Sequence, residues 1–289
     1  MSDAVIIWGE VLWDRFPDGD QLGGAPANLA WHLAQAGGWA QLVSRVGADA
    51  DGARALERMA QLIDTDLVQI DPDRATGEVT VALEAGEPRY TLHAGRAWER
   101  IECTADVRTA CEAAGVFVYG TLAQRTPEGL EQWRAASAAA KGLHVCDLNL
   151  RPNDRQLTTA IADGLAAADV VKINDRELAA LRQWLGWTDP IAKLQARSEL
   201  VVVTHGADGS TLHGDHGALE IPSVPAAPGG DNVGCGDSYL AILVYGLTCG
   251  WDLAASGRAA ARWASAVAGE RGATPVFDDD RIADLLEAS

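Results

Sequence analysis

The chain has 289 residues, 48% of them hydrophobic, which is enough for one large α/β domain or two average ones with a full core. A formal charge of −18, from 41 acidic against 23 basic residues, gives a surface that repels nucleic acid and anionic lipid, so neither is expected as a partner. No apolar stretch approaches the roughly 20 residues that span a membrane, and the N-terminal residues lack the basic segment and apolar length of a signal peptide.

Short β-branched or apolar runs alternate with amphipathic, alanine-rich segments. Residues 5–8 predict a strand, 25–35 a helix ended by Gly37-Gly38, 42–46 a second strand and 50–62 a second helix. The rhythm returns as strands over 116–119, 143–147, 170–173 and 200–204, and as helices over 128–140, 157–167, 176–185, 238–246 and 253–269. Such alternation implies an α/β fold with a mostly parallel central sheet and helices on both faces. Two segments break it: 10–16 and 77–93 alternate like half-buried strands, the second around a turn at Glu87-Pro88, and neither contains a helix. They predict a small β flap over about 10–22 and 77–100, placed to cover a site at the strand ends, with an ordinary edge hairpin as the alternative.

Five cysteines, odd in number and without a Cys-x-x-Cys, indicate neither a disulfide framework nor a zinc site, and fit a cytoplasmic location. His213 and His216 lie in a Gly/Asp-rich turn and are expected to be solvated. An acidic, lysine-poor surface also fits a salty cytosol that screens self-repulsion.

Open α/β sheets bind ligands beyond the C-terminal ends of their strands, and polar residues gather at those points. Asp14 follows the first strand and could accept hydrogen bonds from a polyol. The loop Leu22-Gly23-Gly24-Ala25-Pro26-Ala27-Asn28 admits a ligand close to backbone at Gly24, and Asn28 offers a donor and an acceptor to a hydroxyl, unless the loop is a tight turn and Asn28 a satisfied core amide. In Asp147-Leu148-Asn149-Leu150-Arg151-Pro152, the Arg151 fork suits a phosphate or carboxylate, or an exposed ion pair. Asn174 and Glu177 could serve a magnesium ion through its waters, or Glu177 is simply a first-turn carboxylate. Thr204, Gly206, Asp208 and Gly209 sit in a turn after the next strand that could present N–H groups to a nucleotide.

The most informative stretch is Gly229-Gly230-Asp231-Asn232-Val233-Gly234-Cys235-Gly236-Asp237-Ser238-Tyr239, leading into the apolar run 240–244. Gly234 and Gly236 around Cys235 at a helix N-terminus let backbone N–H groups converge where the helix dipole favours negative charge, and Asp237 could take a proton from a hydroxyl held nearby. That combination suits phosphoryl transfer; the alternative is a helix-capping loop in which Asp237 complements the dipole. No Gly-x-Ser-x-Gly is present and no histidine follows His216, which counts against an esterase built on Ser238. A Gly-Lys dipeptide is absent, excluding a Walker-type loop, and no Gly-x-Gly-x-x-Gly follows the first strand.

Taken in order, Gly9-Glu10 with Asp14, Gly23 to Asn28, Asp147-x-Asn149-x-Arg151-Pro152, Asn174-x-x-Glu177, Gly206-Ala207-Asp208-Gly209 and Asp231-x-x-Gly234-x-Gly236-Asp237 resemble the ribokinase-like, PfkB-type carbohydrate kinases, and among them the fructokinases. The resemblance runs from Gly9 to Pro275. It implies a single ribokinase-like three-layer α/β/α domain that uses ATP to phosphorylate a primary hydroxyl of a small sugar, fructose first. Asp237 would be the base, and the amides of Gly234, Cys235 and Gly236 the anion hole. Asp14, Gly24 and Asn28 would hold sugar hydroxyls, with Arg151 near sugar or phosphates, and Asn174 and Glu177 would organise Mg2+. A monovalent cation, usually K+, would sit by Asp231 and Gly272-Ala273-Thr274-Pro275, although Asn232 stands where the family has threonine. The flap would be a lid that also mediates a homodimer, with Trp13 and Trp98 stacking on substrate or forming lid or dimer core. Cys235 replaces an alanine, and its thiol at a helix N-terminus is expected to be acidic. Arg96 in the flap, with Arg151, keeps a sugar acid such as 2-keto-3-deoxygluconate open beside ribose or a nucleoside. A sugar-binding regulator without catalysis is the rival of another class.

Overall fold

The computed structural model describes residues 4–17, 19–84, 87–151, 154–215 and 217–287, so Pro152 and His216 lie outside the described residues. Thirteen strands form among them: β1 (Val5–Trp8), β2 (Leu12–Phe16), β3 (Gly19–Gly23), β4 (Ala40–Gly47), β5 (Val68–Asp71), β6 (Gly77–Glu84), β7 (Glu87–Leu92), β8 (Val116–Tyr119), β9 (Leu143–Asp147), β10 (Val170–Asn174), β11 (Leu200–Thr204), β12 (Ser210–Gly214) and β13 (Gly217–Ile221). Nine pair in the order β13-β12-β11-β10-β9-β8-β1-β4-β5, and the other four form a second sheet, β3-β2-β6-β7. In the large sheet every pairing from β11 to β5 is parallel, and the two pairings at the edge, β11 with β12 and β12 with β13, are antiparallel.

A strand covered on both faces must be apolar at successive positions, and β1 shows the result. Val5 and Ile7 join the core on one face, with side chains from the helices Ala25–Gln35, Cys235–Thr248 and Leu253–Ala268. Ile6 and Trp8 join the core on the other, with side chains from Ala105–Ala113, Pro127–Ala139, Thr158–Ala167 and Asp175–Leu185. This is the three-layer arrangement expected, and its parallel strands bring Gly9, Gly120, Asp147, Asn174 and Thr204 to one end of the sheet.

Several elements differ from expectation. The second helix stops at Met59, and Ala60 closes it. Glu87 and Pro88 are not a turn but the start of β7, paired with Glu84 and Leu83, and the connecting residues 85–86 lie outside the described ones. Proline is tolerated there because β7 is an edge strand. The helix Ala105–Ala113 escapes a periodicity search because only Val107 and Cys111 are buried on it. His213 is half-buried within β12, opposite Val201 and Ala218, rather than solvated in a turn.

Candidate active site

Helices starting at residues 50, 105, 127, 175, 190, 253 and 279 each begin with an Asp, Thr or Asn side chain bonded to a first-turn amide. The helices Ala25–Gln35 and Cys235–Thr248 instead begin with glycine, Gly24 and Gly234, and have no capping side chain. A helix start without a cap leaves N–H groups facing outward with the positive end of the dipole behind them. In the second of these helices Ser238 N already donates to Gly234 O at 2.8 Å, so the amides of Cys235, Gly236 and Asp237 are the ones presented. Gly234 is required twice over: its φ is +76°, and a Cβ there would stand 2.8 Å from the Ala273 Cα.

Asp237 follows these amides. Asn28 Nδ2, projected from the first uncapped helix, donates to Asp237 Oδ2 at 2.9 Å across 209 residues of sequence. Burial pushes the Asp237 carboxyl up to about 6, with Asp147 adding to the rise and Lys172, Asn28 and Arg151 opposing it. Asn28 Oδ1 is buried without a partner, an acceptor waiting for a donor such as a hydroxyl.

A small pocket beside this pair is lined by Glu10, Pro26, Tyr119, Thr121, Asp147 and Arg151, among others. Glu10 is 2% exposed with Oε1 3.9 Å from Arg151 Nη2, and burial pushes its carboxyl up to about 7 against the pull of that guanidinium. Burial likewise moves Asp14, on β2, up to about 6. Asp14 fits where it does because Gly23 has no Cβ, which would stand 2.2 Å from Asp14 Oδ2, and Gly24, at φ +106°, leaves room for the Glu10 carbonyl.

On the other side opens a cleft of about 940 Å³, lined by Lys172, Asn174, Thr204, Gly206, Gly209 and Gly236 among others. Asp208 is exposed in the same turn but does not line the cleft. Asn174 and Glu177 form a reciprocal helix cap: Asn174 Oδ1 accepts Glu177 N at 3.0 Å, and Glu177 Oε2 accepts Asn174 N at 2.8 Å. Glu177 Oε1 accepts Leu150 N at 2.7 Å, and burial raises this carboxyl, with Lys172 opposing. Asp231 and the 270–275 segment do come together: Gly272 N donates to Asp231 Oδ2 at 2.9 Å, and Val233 N to Oδ1 at 3.0 Å.

Arg96 and the Cys235 thiol depart from expectation, while Trp13 and Trp98 follow the buried alternative rather than stacking on a ligand. Arg96 pairs with Glu78 in the second sheet and lines neither the small pocket nor the wide cleft. Trp13 and Trp98 offer no stacking face: Trp98 is fully buried against Gly77, and Trp13 is buried with its N–H on the Asp51 carbonyl at 3.0 Å and the Arg54 guanidinium over its ring. The Cys235 thiol is pushed up to about 11, because burial and the carboxylates of Asp237 and Asp231 outweigh the helix dipole. Thr121 and Lys172 reach the site without having been singled out for it, and Glu10 and Asp147, quoted within motifs, had been given no role there. The signal for Lys172 was there to read: it is one of three lysines in the chain and interrupts the apolar run Val170-Val171-Ile173 of a central strand.

A carboxylate poised beside unpaired helix amides, with a small pocket and a wide cleft at the same end of the sheet, is the equipment of a phosphotransferase acting on a hydroxyl. The chain belongs to the pfkB family of carbohydrate kinases, which it matches over residues 19–280. It is 28% identical over 266 residues to a fructokinase of Klebsiella pneumoniae, covering 86% of this chain and 85% of that one. Among solved structures it is similar to a fructokinase with bound ATP from Xylella fastidiosa, with TM-score 0.86, 23% identity and coverage of 99% and 98% of the two chains. A putative ribokinase II from E. coli in complex with ATP and Mg+2 superposes with TM-score 0.87 at 18% identity, over 98% of each chain. The fold is therefore ribokinase-like.

Proposed function

We propose that this carbohydrate kinase transfers the γ-phosphoryl group of ATP to a primary hydroxyl of a small neutral sugar, with fructose the first candidate. The observation that carries the reading is Asp237, held by Asn28 next to the uncapped amides of Cys235 and Gly236. A carboxylate raised to about 6 is still ionised at neutral pH and basic enough to take the hydroxyl proton as the oxygen attacks phosphorus. The amides, joined by that of Gly234, would receive the charge of the transferring group. Asp14, Gly24 and Asn28 would hold the sugar, and Arg151 would close the pocket from the phosphate side.

ATP would occupy the cleft, with its phosphates toward Gly236 and its base or ribose against Thr204, Gly206 and Gly209. The donors fit magnesium as a hydrated ion. Asn174 stands at the cleft wall, and Glu177, buried and bonded to the amides of Leu150 and Asn174, would reach the ion only through intervening water. Bound there, the ion would supply charge neutralisation to the phosphates. Potassium is assigned no step. The sheet β3-β2-β6-β7 would act as the lid, and its open edges β3 and β7 are where a second copy would pair.

Glu10, Asp14 and Asp237 lie in the field of Arg151, and Asp147 and Asp237 in that of Lys172, so carboxylates outnumber cations around the site four to two. This balance favours an uncharged polyol over a sugar acid. The test is ADP release with ATP and Mg2+ against fructose, ribose, 2-keto-3-deoxygluconate, adenosine and inosine, with wild type and Asp237→Asn. Fructose should be the best acceptor, and the variant should lose about 10²-fold or more in kcat while still binding sugar. Undiminished turnover by Asp237→Asn would remove the base; preference for the sugar acid would remove the charge argument.

A further inference from the structure

Lys172 lies within β10, where Val170, Val171 and Ile173 are all buried, and is itself 4% exposed. Burying an ammonium is costly even when it is paired, and an apolar side chain at such a position is often as good or better for stability. Its Nζ stands 3.1 Å from each oxygen of Asp147. The two charges straddle the site: Asp147 lines the small pocket with Glu10 and Arg151, whereas Lys172 lines the wide cleft with Cys235 and Gly236.

Gly236 shows how close the ammonium is to the presented amides. A Cβ on that residue would stand 2.9 Å from Lys172 Nζ. The missing side chain makes room for a cation directly over the first turn of an uncapped helix, where the dipole is already positive. A positive charge there is unfavourable until an anion arrives. An ammonium has three N–H donors, and bonding to one carboxylate group does not use them all.

We infer that Lys172 is a catalytic residue of the phosphoryl transfer, its ammonium held by Asp147 and donating to the phosphoryl oxygens alongside the amides of Cys235 and Gly236. The inference rests on the phosphotransferase reading above. In the step, the sugar oxygen forms its bond to phosphorus as the bond from phosphorus to the bridging oxygen of the nucleotide breaks. The electron pair of that bond leaves on the diphosphate, and the hydroxyl proton passes to Asp237. Lys172 keeps its protons throughout and contributes charge alone.

The test compares wild type with Lys172→Met, Asp147→Asn and the double variant, reading kcat, sugar KM and melting temperature. Lys172→Met leaves Asp147 buried and unpaired, so its stability falls. The double variant removes both charges and should recover the melting temperature. If Lys172 acts on the phosphoryl group, kcat of the double variant stays about 10²-fold or more below that of Asp147→Asn, with sugar KM within about threefold of that single variant's. A double variant whose kcat is within about threefold of that of Asp147→Asn would reduce Lys172 to a counter-ion of Asp147 and overturn the inference alone. A wild-type chain that phosphorylates none of the panel overturns the functional reading, and this inference with it.

Discussion

Asp237 illustrates how a single residue trades stability for chemistry. Its carboxyl lies near 3.8 when unfolded and is raised to about 6 in the folded chain, so the folded state binds the proton more tightly. Stability from this group is therefore highest below about pH 3.8 and is lost as pH rises through about 6. At pH 7.5 the ionised form is a net burden, worth roughly 1 to 3 kcal/mol. Asp237→Asn removes that burden and keeps an acceptor for Asn28. Its melting temperature should exceed that of wild type at pH 7.5 by a few degrees, and the gap should shrink as the buffer is taken toward pH 4. Equal melting temperatures at both pH values would mean that the site is better solvated than its geometry shows.

At the scale of elements, the junction between the start of Cys235–Thr248 and the segment 273–277 governs the geometry. That segment is held by the helix Ala25–Gln35: His32 Nε2–H donates to Ala273 O at 2.8 Å, Trp31 Nε1–H to Pro275 O at 3.2 Å, and Gln35 Oε1 accepts Phe277 N at 2.6 Å. His32 Nδ1 accepts the Trp263 N–H at 3.1 Å, so the ring is neutral, and burial holds it down at about 4. Gly234 packs on the segment thus fixed. Gly234→Ala combines a left-handed backbone, about 1 to 2 kcal/mol for a residue with Cβ, with a contact of 2.8 Å to Ala273. It should lower both the melting temperature and kcat. Gly250→Ala shares the conformation, φ +74°, but meets nothing within 4 Å, and should lower the melting temperature only. If the two variants have the same kcat, the Gly234 junction does not shape the anion hole.

Over the whole molecule, a charge of −18 makes self-repulsion a general term opposing compaction. Raising salt from tens of millimolar to molar shortens the screening length from roughly 30 Å at 0.01 M to 3 Å. The melting temperature in a non-binding chloride salt should rise over that range; a flat or falling series would show that local ion pairs, such as Arg15 with Asp20, Asp51 and Glu78, already cancel the repulsion. The parallel sheet, the helices on its faces, the flap strands and the glycine-framed start of Cys235–Thr248 were legible from the chain. Periodicity, turn chemistry and capping are local properties, set by neighbours a few residues away. What only the tertiary structure decided was which residues meet. Asn28 reaching Asp237, Lys172 paired with Asp147 above Gly236, Glu10 buried by Arg151, and Arg96 drawn off to Glu78 depend on elements distant in sequence. The raised carboxyls of Glu10, Asp14 and Asp237 follow the same rule, because the cost of a charge is set by how much water the packed fold removes from around it.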